Sequence, residues 1–437
     1  MDRDAYKKRI NWFQHDRFGM FIHWGLYSIP ARGEWVRSIE KMPKENYQKY
    51  FDAFDPTGYD PVAWAKLAKH AGMKYAVLTA KHHDGFCLFD SKLTDYKSTN
   101  TKAGRDLVHE YVEAFRAEGI KVGLYFSLID WYHPDYPHYG DRIHPMRDNE
   151  DFKDHNAQEN FDRYLDYMHG QVREICTNYG KLDVLWFDFS YGQMSGEKWR
   201  ATELVRMVRS LQPDVIIDNR LEVSGEGFGS LLTDNPSEYS GDFVSPEQII
   251  PPEGILSQSG EPVAWEACVT LNNHWGYAAH DRNWKSAKTV IRKLVECVSK
   301  DGNLLLNVGP DAKGFIPKES VKILTEVGDW MQHNANSIYG CGKSSIGQQP
   351  WGAVTESDTD IFLHVYEDTV GPIALKGLKK EDFKLVQFEA DGAEIQLLPS
   401  WTTDNFPDYM YVPMGPDSSG SYALPDEIDT VIRMSKV

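Results

Sequence analysis

Between residues 19 and 308, apolar or aromatic runs of strand length alternate with stretches whose apolar positions repeat at helical spacing. The runs at 19–25 (GMFIHWG), 74–80 (KYAVLTA), 121–128 (KVGLYFSL), 182–189 (LDVLWFDF), 214–220 (DVIIDNR), 263–271 (VAWEACVTL) and 303–308 (NLLLNV) read as strands. A helix is predicted from Asp60, an N-cap residue followed by Pro61 at the first helical position. Another over 105–118 puts Leu107, Val108, Tyr111, Val112 and Phe115 on one stripe. Further helices are predicted near 160–177, 197–211, 287–299 and 318–334. Strands that are apolar throughout, without alternation, are covered on both faces, which means a parallel sheet packed between helices. An eighth strand is expected in the poorly patterned stretch between Arg220 and Val263. The fold class is therefore α/β, a (β/α)8 TIM-like barrel carrying insertions. No strand runs into a GxGxxG turn, as a dinucleotide-binding open sheet would require.

From about residue 344 the pattern changes. Short alternating stretches (IFLHVYE, FKLVQFE, EIQLLP, DTVIRMS) lie between Gly, Pro, Asp and Asn turns, with no helical stripe. They predict a small C-terminal all-β sandwich, and hence a barrel domain over 1–343 and a β domain over 344–437.

Charge and composition narrow the function. Among 437 residues, 65 acidic against 47 basic side chains give a net charge of −18, the wrong sign for a nucleic-acid partner. A hydrophobic share of 41% argues against disorder. No stretch approaches 18 apolar residues, so no membrane partner is expected, and the start (MDRDAYKKR) leads into no signal-like run. The five cysteines, Cys87, Cys176, Cys268, Cys297 and Cys341, are scattered and lack CxxC spacing. They read as reduced thiols, and a cytoplasmic protein is the expectation.

In a barrel of this type the chemistry sits at the C-terminal strand ends. Those ends carry His23-Trp24, then Glu34-Trp35; Lys81-His82-His83-Asp84; Tyr125-Phe126-Ser127; Trp186-Phe187-Asp188-Phe189; Asp218-Asn219-Arg220; and Trp265-Glu266. Ionisable groups interleaved with aromatic faces suit a sugar ring. Asp188 closes an apolar run, where a carboxylate is costly unless it has a partner or a purpose. It is either a functional group or a structural one bonded to backbone amides. Glu247, in the segment GDFVSPEQ, falls on a loop near the barrel mouth and by composition alone is an ordinary surface carboxylate. His133, His138 and His144 lie in a Pro- and Asp-rich loop and are expected to be solvated.

The segments FGMFIHWGLYSIP (18–30), GEWV (33–36), TAKHHDGF (79–86), GLYFSLIDW (123–131), LWFDF (185–189), SPEQ (245–248), WEACVTLNNHWGY (265–277) and NLLLNVGP (303–310) together carry a resemblance over the whole barrel. In these the chain resembles the α-L-fucosidases of glycoside hydrolase family 29. The resemblance implies a retaining exo-glycosidase that removes terminal α-L-fucose from a fucosylated glycan, with no cofactor and no metal. It implies Asp188 as nucleophile and His23, Glu34, Trp35, His82, His83, Tyr125 and Arg220 as substrate-binding residues. Many relatives read Tyr-Tyr-Ser where this chain has Tyr125-Phe126-Ser127. The acid/base falls to Glu247 or Glu266. Glu247 is preferred, because the PEQ segment matches members whose acid/base lies on that loop, members selective for α1-3/4 fucosides. The deoxy C6 methyl calls for an apolar wall, with Phe21, Trp35 and Phe187 as candidates, and Trp265 is a further pocket candidate.

Two other readings use the same residues. One is a metal-dependent hydrolase with His23, His82, His83, Asp84 and Asp188 as ligands, although the first strand has His-Trp rather than HxH and there is no HExxH. The other is a carbohydrate-binding protein without turnover.

Overall fold

The computed structural model describes residues 3–156, 158–398, 405–415 and 422–437. Seven strands form one parallel sheet: β1 (Phe18–Ile22), β2 (Tyr75–Lys81), β3 (Lys121–Ser127), β4 (Val184–Asp188), β5 (Ile216–Ile217), β6 (Glu266–Thr270) and β7 (Asn303–Val308). Their order, β5-β4-β3-β2-β1-β7-β6, leaves a gap between β5 and β6. Residues 242–248 fill it through single parallel bridges: Asp218 with Phe243, Val244 with Trp265, and Glu247 with Cys268. Backbone bonds from Asp242 N to Ile217 O (2.6 Å), Glu266 N to Val244 O (2.9 Å) and Cys268 N to Pro246 O (3.1 Å) complete the closure. This is the missing eighth strand position. Its bridges are single, and Pro246 has no N–H to donate to a ladder, so it shows neither strand periodicity nor a regular ladder. Glu247 therefore belongs to the barrel wall and is not on a free loop.

The helices pack outside. Asp60 caps Pro61–His70 by accepting from Ala63 N, Asp106 caps Leu107–Ala117, Asn160 caps Phe161–Asn178, and Ser286 caps Ala287–Val298. Each cap satisfies an amide the first helical turn leaves unpaired. Strand alternation divides the core. Leu185 and Phe187 of β4 join the layer between sheet and helices, whereas Val184 and Trp186 point into the barrel with Phe21, Tyr75, Tyr125 and Leu305. An N-terminal helix, Arg3–Asp16, brings Phe13 against Tyr75 and Phe243 within the same inner cluster.

Beyond the barrel, β8 (Gly342–Lys343), β9 (Gly352–Glu356), β10 (Asp360–Val365), β12 (Phe383–Phe388) and β14 (Thr430–Lys436) make an antiparallel sheet in the order β12-β14-β10-β9-β8. A two-stranded antiparallel sheet of β11 (Ile373–Lys376) and β13 (Tyr409–Val412) shares its core, with Leu363, Ile432, Leu375 and Val412 in one cluster. The fold is a TIM-like (β/α)8 barrel followed by a small all-β domain. No helix among the described residues is long and apolar enough to cross a membrane.

Candidate active site

A cavity of about 410 Å³ opens at the C-terminal end of the barrel strands. At its centre Arg220, just beyond β5, binds two carboxyl groups with two different nitrogens. Nη1 donates to Asp188 Oδ1 (2.9 Å) and Nη2 to Glu247 Oε2 (3.2 Å). The guanidinium is 2% exposed and lies over the Trp186 ring, 4.7 Å from its centroid. Its Nε donates to Ser245 Oγ (2.8 Å), and the Ser245 hydroxyl donates to Asn219 Oδ1 (3.0 Å). Burial opposes the Arg220 charge, but Asp188 and Glu247 more than offset it and its pKa rises. The backbone of Gly225 presses on this pair. A Cβ there would stand 2.5 Å from Arg220 Nη2 and 2.7 Å from Glu247 Oε2, so only glycine fits.

Asp188 ends β4. Its side chain keeps 19% exposure toward the cavity, and Glu247 keeps 38%. Burial raises the Asp188 pKa; Arg220 pulls it down, the Glu247 charge pushes it up, and the Tyr125 hydroxyl pulls it down again. Tyr125 donates to Asp188 Oδ2 at 2.9 Å, so each carboxylate oxygen has its own donor.

The imidazoles around this centre are neutral, and their tautomers follow from their partners. His82 Nδ1 accepts from the His83 amide (2.9 Å), so the proton is on Nε2, which points to the Tyr125 hydroxyl at 3.4 Å. Asn307 Nδ2 donates to Trp275 O (2.8 Å), which turns Asn307 Oδ1 toward His23 Nδ1 at 2.7 Å. His23 therefore carries its proton on Nδ1 and offers Nε2 as an acceptor. Burial lowers the His23 pKa to about 3 and those of His82 and His83 well below the usual imidazole range. Glu34 lines the cavity and accepts from Gly276 N (2.8 Å), while burial raises its pKa. Phe21 and Trp35 supply apolar walls.

Several sequence expectations change. Phe187 and Trp265 do not line the cavity, because strand alternation turns both outward into the helix layer. The inward ring on β4 is Trp186. Glu266 lies inside the barrel below the cavity: it is 1% exposed, accepts from Tyr75 OH and from Trp186 Nε1 (3.4 Å), and burial raises its pKa to about 7. His83 is fully buried behind Trp35, stacked on Trp131 at 3.9 Å, and neither ring nitrogen has a partner. His138 and His144 are buried as well, at 8% and 0% exposure, because the loop carrying them folds over the barrel mouth. Tyr125 rather than Phe126 faces inward and lines the cavity. The proposed metal set does not gather. Among the described residues, only His138, His155 and Glu159 place three ligand-type atoms close together.

The sequence reading missed Asn307, Ser245, Gly225 and Trp275. Asn307 carried a usable signal, since it interrupts an apolar strand just as Asp188 does. The other three act through distances that no local pattern encodes.

A parallel barrel whose mouth holds two carboxyl groups on one guanidinium, among aromatic faces and neutral imidazoles, has the layout of a sugar-processing barrel hydrolase. The family model described as alpha-L-fucosidase matches residues 2–336, and the chain belongs to this α-L-fucosidase family. Alpha-L-fucosidase isoenzyme 1 from Paenibacillus thiaminolyticus is 59% identical, with a TM-score of 0.94 over 99% of this chain and 100% of that one. A family 29 α-L-fucosidase from Bacteroides thetaiotaomicron, solved as a trapped covalent intermediate with 2-fluoro-fucosyl fluoride, is 29% identical. Its TM-score is 0.81 over 98% of this chain and 95% of that one. The α-L-fucosidase of Dictyostelium discoideum is 28% identical over 452 residues, 92% of this chain and 91% of its own.

Proposed function

We propose that this protein is a retaining exo-α-L-fucosidase that hydrolyses terminal α-L-fucosyl residues of oligosaccharides or glycoconjugates by double displacement. The observation that carries this reading is the sharing of Arg220 by Asp188 and Glu247. Asp188, with a donor on each oxygen, is placed to act as the nucleophile, and Glu247, at the longer contact and open to the cavity, as the acid/base. Asp188 attacks C1 of the fucosyl group as Glu247 passes its proton to the departing glycosidic oxygen. Glu247 then takes a proton from water, which attacks C1 and frees Asp188. Retention requires the carboxyls about 5–5.5 Å apart, and their common guanidinium limits how far they can separate.

His23 Nε2, the His82 Nε2 proton and the Glu34 carboxyl address the sugar hydroxyls, and Phe21 and Trp35 receive the C6 methyl. Glu266 is a support under the pocket, since its carboxyl is spent on Tyr75 and Trp186. The cavity draws on residues 21–275 only, which supports a catalytic unit over 1–343 and a separate β unit over 344–437. Five buried, unpaired cysteines support a reducing, cytoplasmic location. Selectivity for α1-3/4 linkages rests on the likeness of residues 246–248. Equal turnover of α1-2 and α1-6 fucosides would remove it.

The test of the mechanism is trapping. Incubation with 2-fluoro-fucosyl fluoride and peptide mapping by mass spectrometry is expected to place one adduct on Asp188. An adduct on another side chain overturns the assignment.

A further inference from the structure

The loop between β3 and the helix Phe161–Asn178 carries a second cluster, outside the sugar cavity. Glu159, with a side chain 7% exposed, has two ion-pair partners among the described residues: His138 Nδ1 at 3.2 Å and His155 Nε2 at 3.6 Å. A buried carboxylate needs a compensating cation. The same two nitrogens face backbone carbonyls, His138 Nδ1 facing Tyr136 O at 2.6 Å and His155 Nε2 facing Pro134 O at 3.0 Å. One ligand atom from each of His138, His155 and Glu159 lies within 4.8 Å of the other two. The Glu159 separations bracket the edge of about 3.4 Å that a tetrahedron with bonds of about 2.1 Å would have, the geometry zinc takes with imidazole and carboxylate ligands. Phe152 stacks on His138 at 5.5 Å and holds that ring in place.

We infer that His138, His155 and Glu159 bind one divalent transition-metal cation, zinc foremost, which fastens the loop over the barrel mouth. When the cation binds, His138 moves its proton from Nδ1 to Nε2 and His155 moves its proton from Nε2 to Nδ1, so both rings stay neutral and the freed nitrogens become ligands. The ligands join His138, near one end of the loop, to His155 and Glu159, near the other. Between them Arg142 and Ile143 line the cavity, and Asp141 receives the hydroxyls of Tyr136 (3.1 Å) and Tyr191 (2.9 Å). The cation thereby sets the rim where the remainder of a substrate beyond its fucose would lie, a role that rests on the fucosidase reading.

The test uses the full chain without a histidine tag, stripped with a chelator and titrated with zinc. Calorimetry and elemental analysis are expected to give one zinc per chain, with a thermal midpoint that rises as zinc is added. His155→Ala and Glu159→Gln are each expected to weaken binding by about tenfold or more and to abolish the thermal response. His109→Ala, at an exposed site elsewhere, is expected to change neither. Wild-type binding no tighter than that of His155→Ala overturns the site. These readouts do not depend on activity, so they stand apart from any failure of the fucosidase assignment. The fastening role is read from kinetics: stripping is expected to raise KM for a fucosylated oligosaccharide and leave kcat for an aryl fucoside unchanged. Zinc uptake with no change in that KM overturns it.

Discussion

As the proposed nucleophile, Asp188 must stay ionised in a setting whose burial pushes its pKa up, and the Arg220 and Tyr125 donors oppose that push. One of them, the Tyr125 hydroxyl, can be removed without adding bulk. A hydrogen bond to a charged group contributes about 1.5–3 kcal/mol, so Tyr125→Phe is expected to lower kcat/KM on an aryl fucoside by about 10- to 100-fold. The pH profile gives the sign. Losing the donor raises the Asp188 pKa, so the acid limb of kcat/KM should move to higher pH. An unshifted limb would mean that Tyr125 acts only by packing. Glu266 tests the opposite case, a carboxyl kept neutral. Burial takes its pKa from 4.5 to about 7, so the folded state binds more protons than the unfolded chain between those values. Its contribution to stability is complete below pH 4.5 and is lost as pH rises toward 7. Glu266→Gln keeps an acceptor for Tyr75 and cannot ionise. Chemical denaturation of the variant should show a flatter stability profile across that range, by about 3 kcal/mol relative to wild type. A parallel profile would place the proton elsewhere.

Residues 242–248 show how an element with little strand character can govern the site. Asp242, with a fully buried side chain, accepts from Arg9 Nη2 (2.9 Å), Arg209 Nη2 and Ile217 N (2.9 Å). These bonds seat the segment between β5 and β6 and so deliver Glu247 to Arg220. Asp242→Ala leaves two arginines facing a void, and breaking a buried pair costs about 3–5 kcal/mol. Glu238→Ala, which removes an exposed pair with Arg206, should cost about 0–1 kcal/mol. Urea midpoints of the two variants compare them directly, and equal losses would deny the segment its seating role. The element also marks what the sequence could disclose. Seven strands were legible because each is an apolar run bounded by turn residues, and Asp188 was legible because it interrupts such a run. The eighth was not, since single bridges and a proline impose no repeat. Phe187 and Trp265 were misplaced for a related reason: in a strand buried on both faces, hydrophobicity does not reveal which parity points inward. Counting two residues back from Asp188 selects Trp186. The histidines of the long loop were misread because loop composition reports polarity and not what the loop covers.

For the molecule as a whole, the question is what the C-terminal sheets do for a cavity they do not line. Trp330, on the barrel helix Lys318–Asn334, is 4% exposed and donates to Asp429 O at 3.1 Å. Arg292, on the helix Ala287–Val298, donates to Ile428 O (2.9 Å) and Tyr366 O (3.0 Å). Phe362 and Val431 of the β domain belong to the same apolar cluster as the barrel's outer layer, so one continuous core crosses from barrel to sheet. Behind it, within the β domain, His364 and Asp429 form a fully buried pair at 2.7 Å. On this geometry the β domain covers two barrel helices that would otherwise expose apolar faces, and its contribution is to stability. Trp330→Ala should therefore lower the free energy of unfolding by about 3–5 kcal/mol, as truncation of a buried tryptophan does, in a single cooperative transition. Measured at 25 °C where the variant remains folded, kcat/KM on an aryl fucoside should equal that of wild type. A fall in kcat/KM with the fold intact would show that the sheet transmits its packing to the barrel mouth, and the purely supporting role would have to be abandoned.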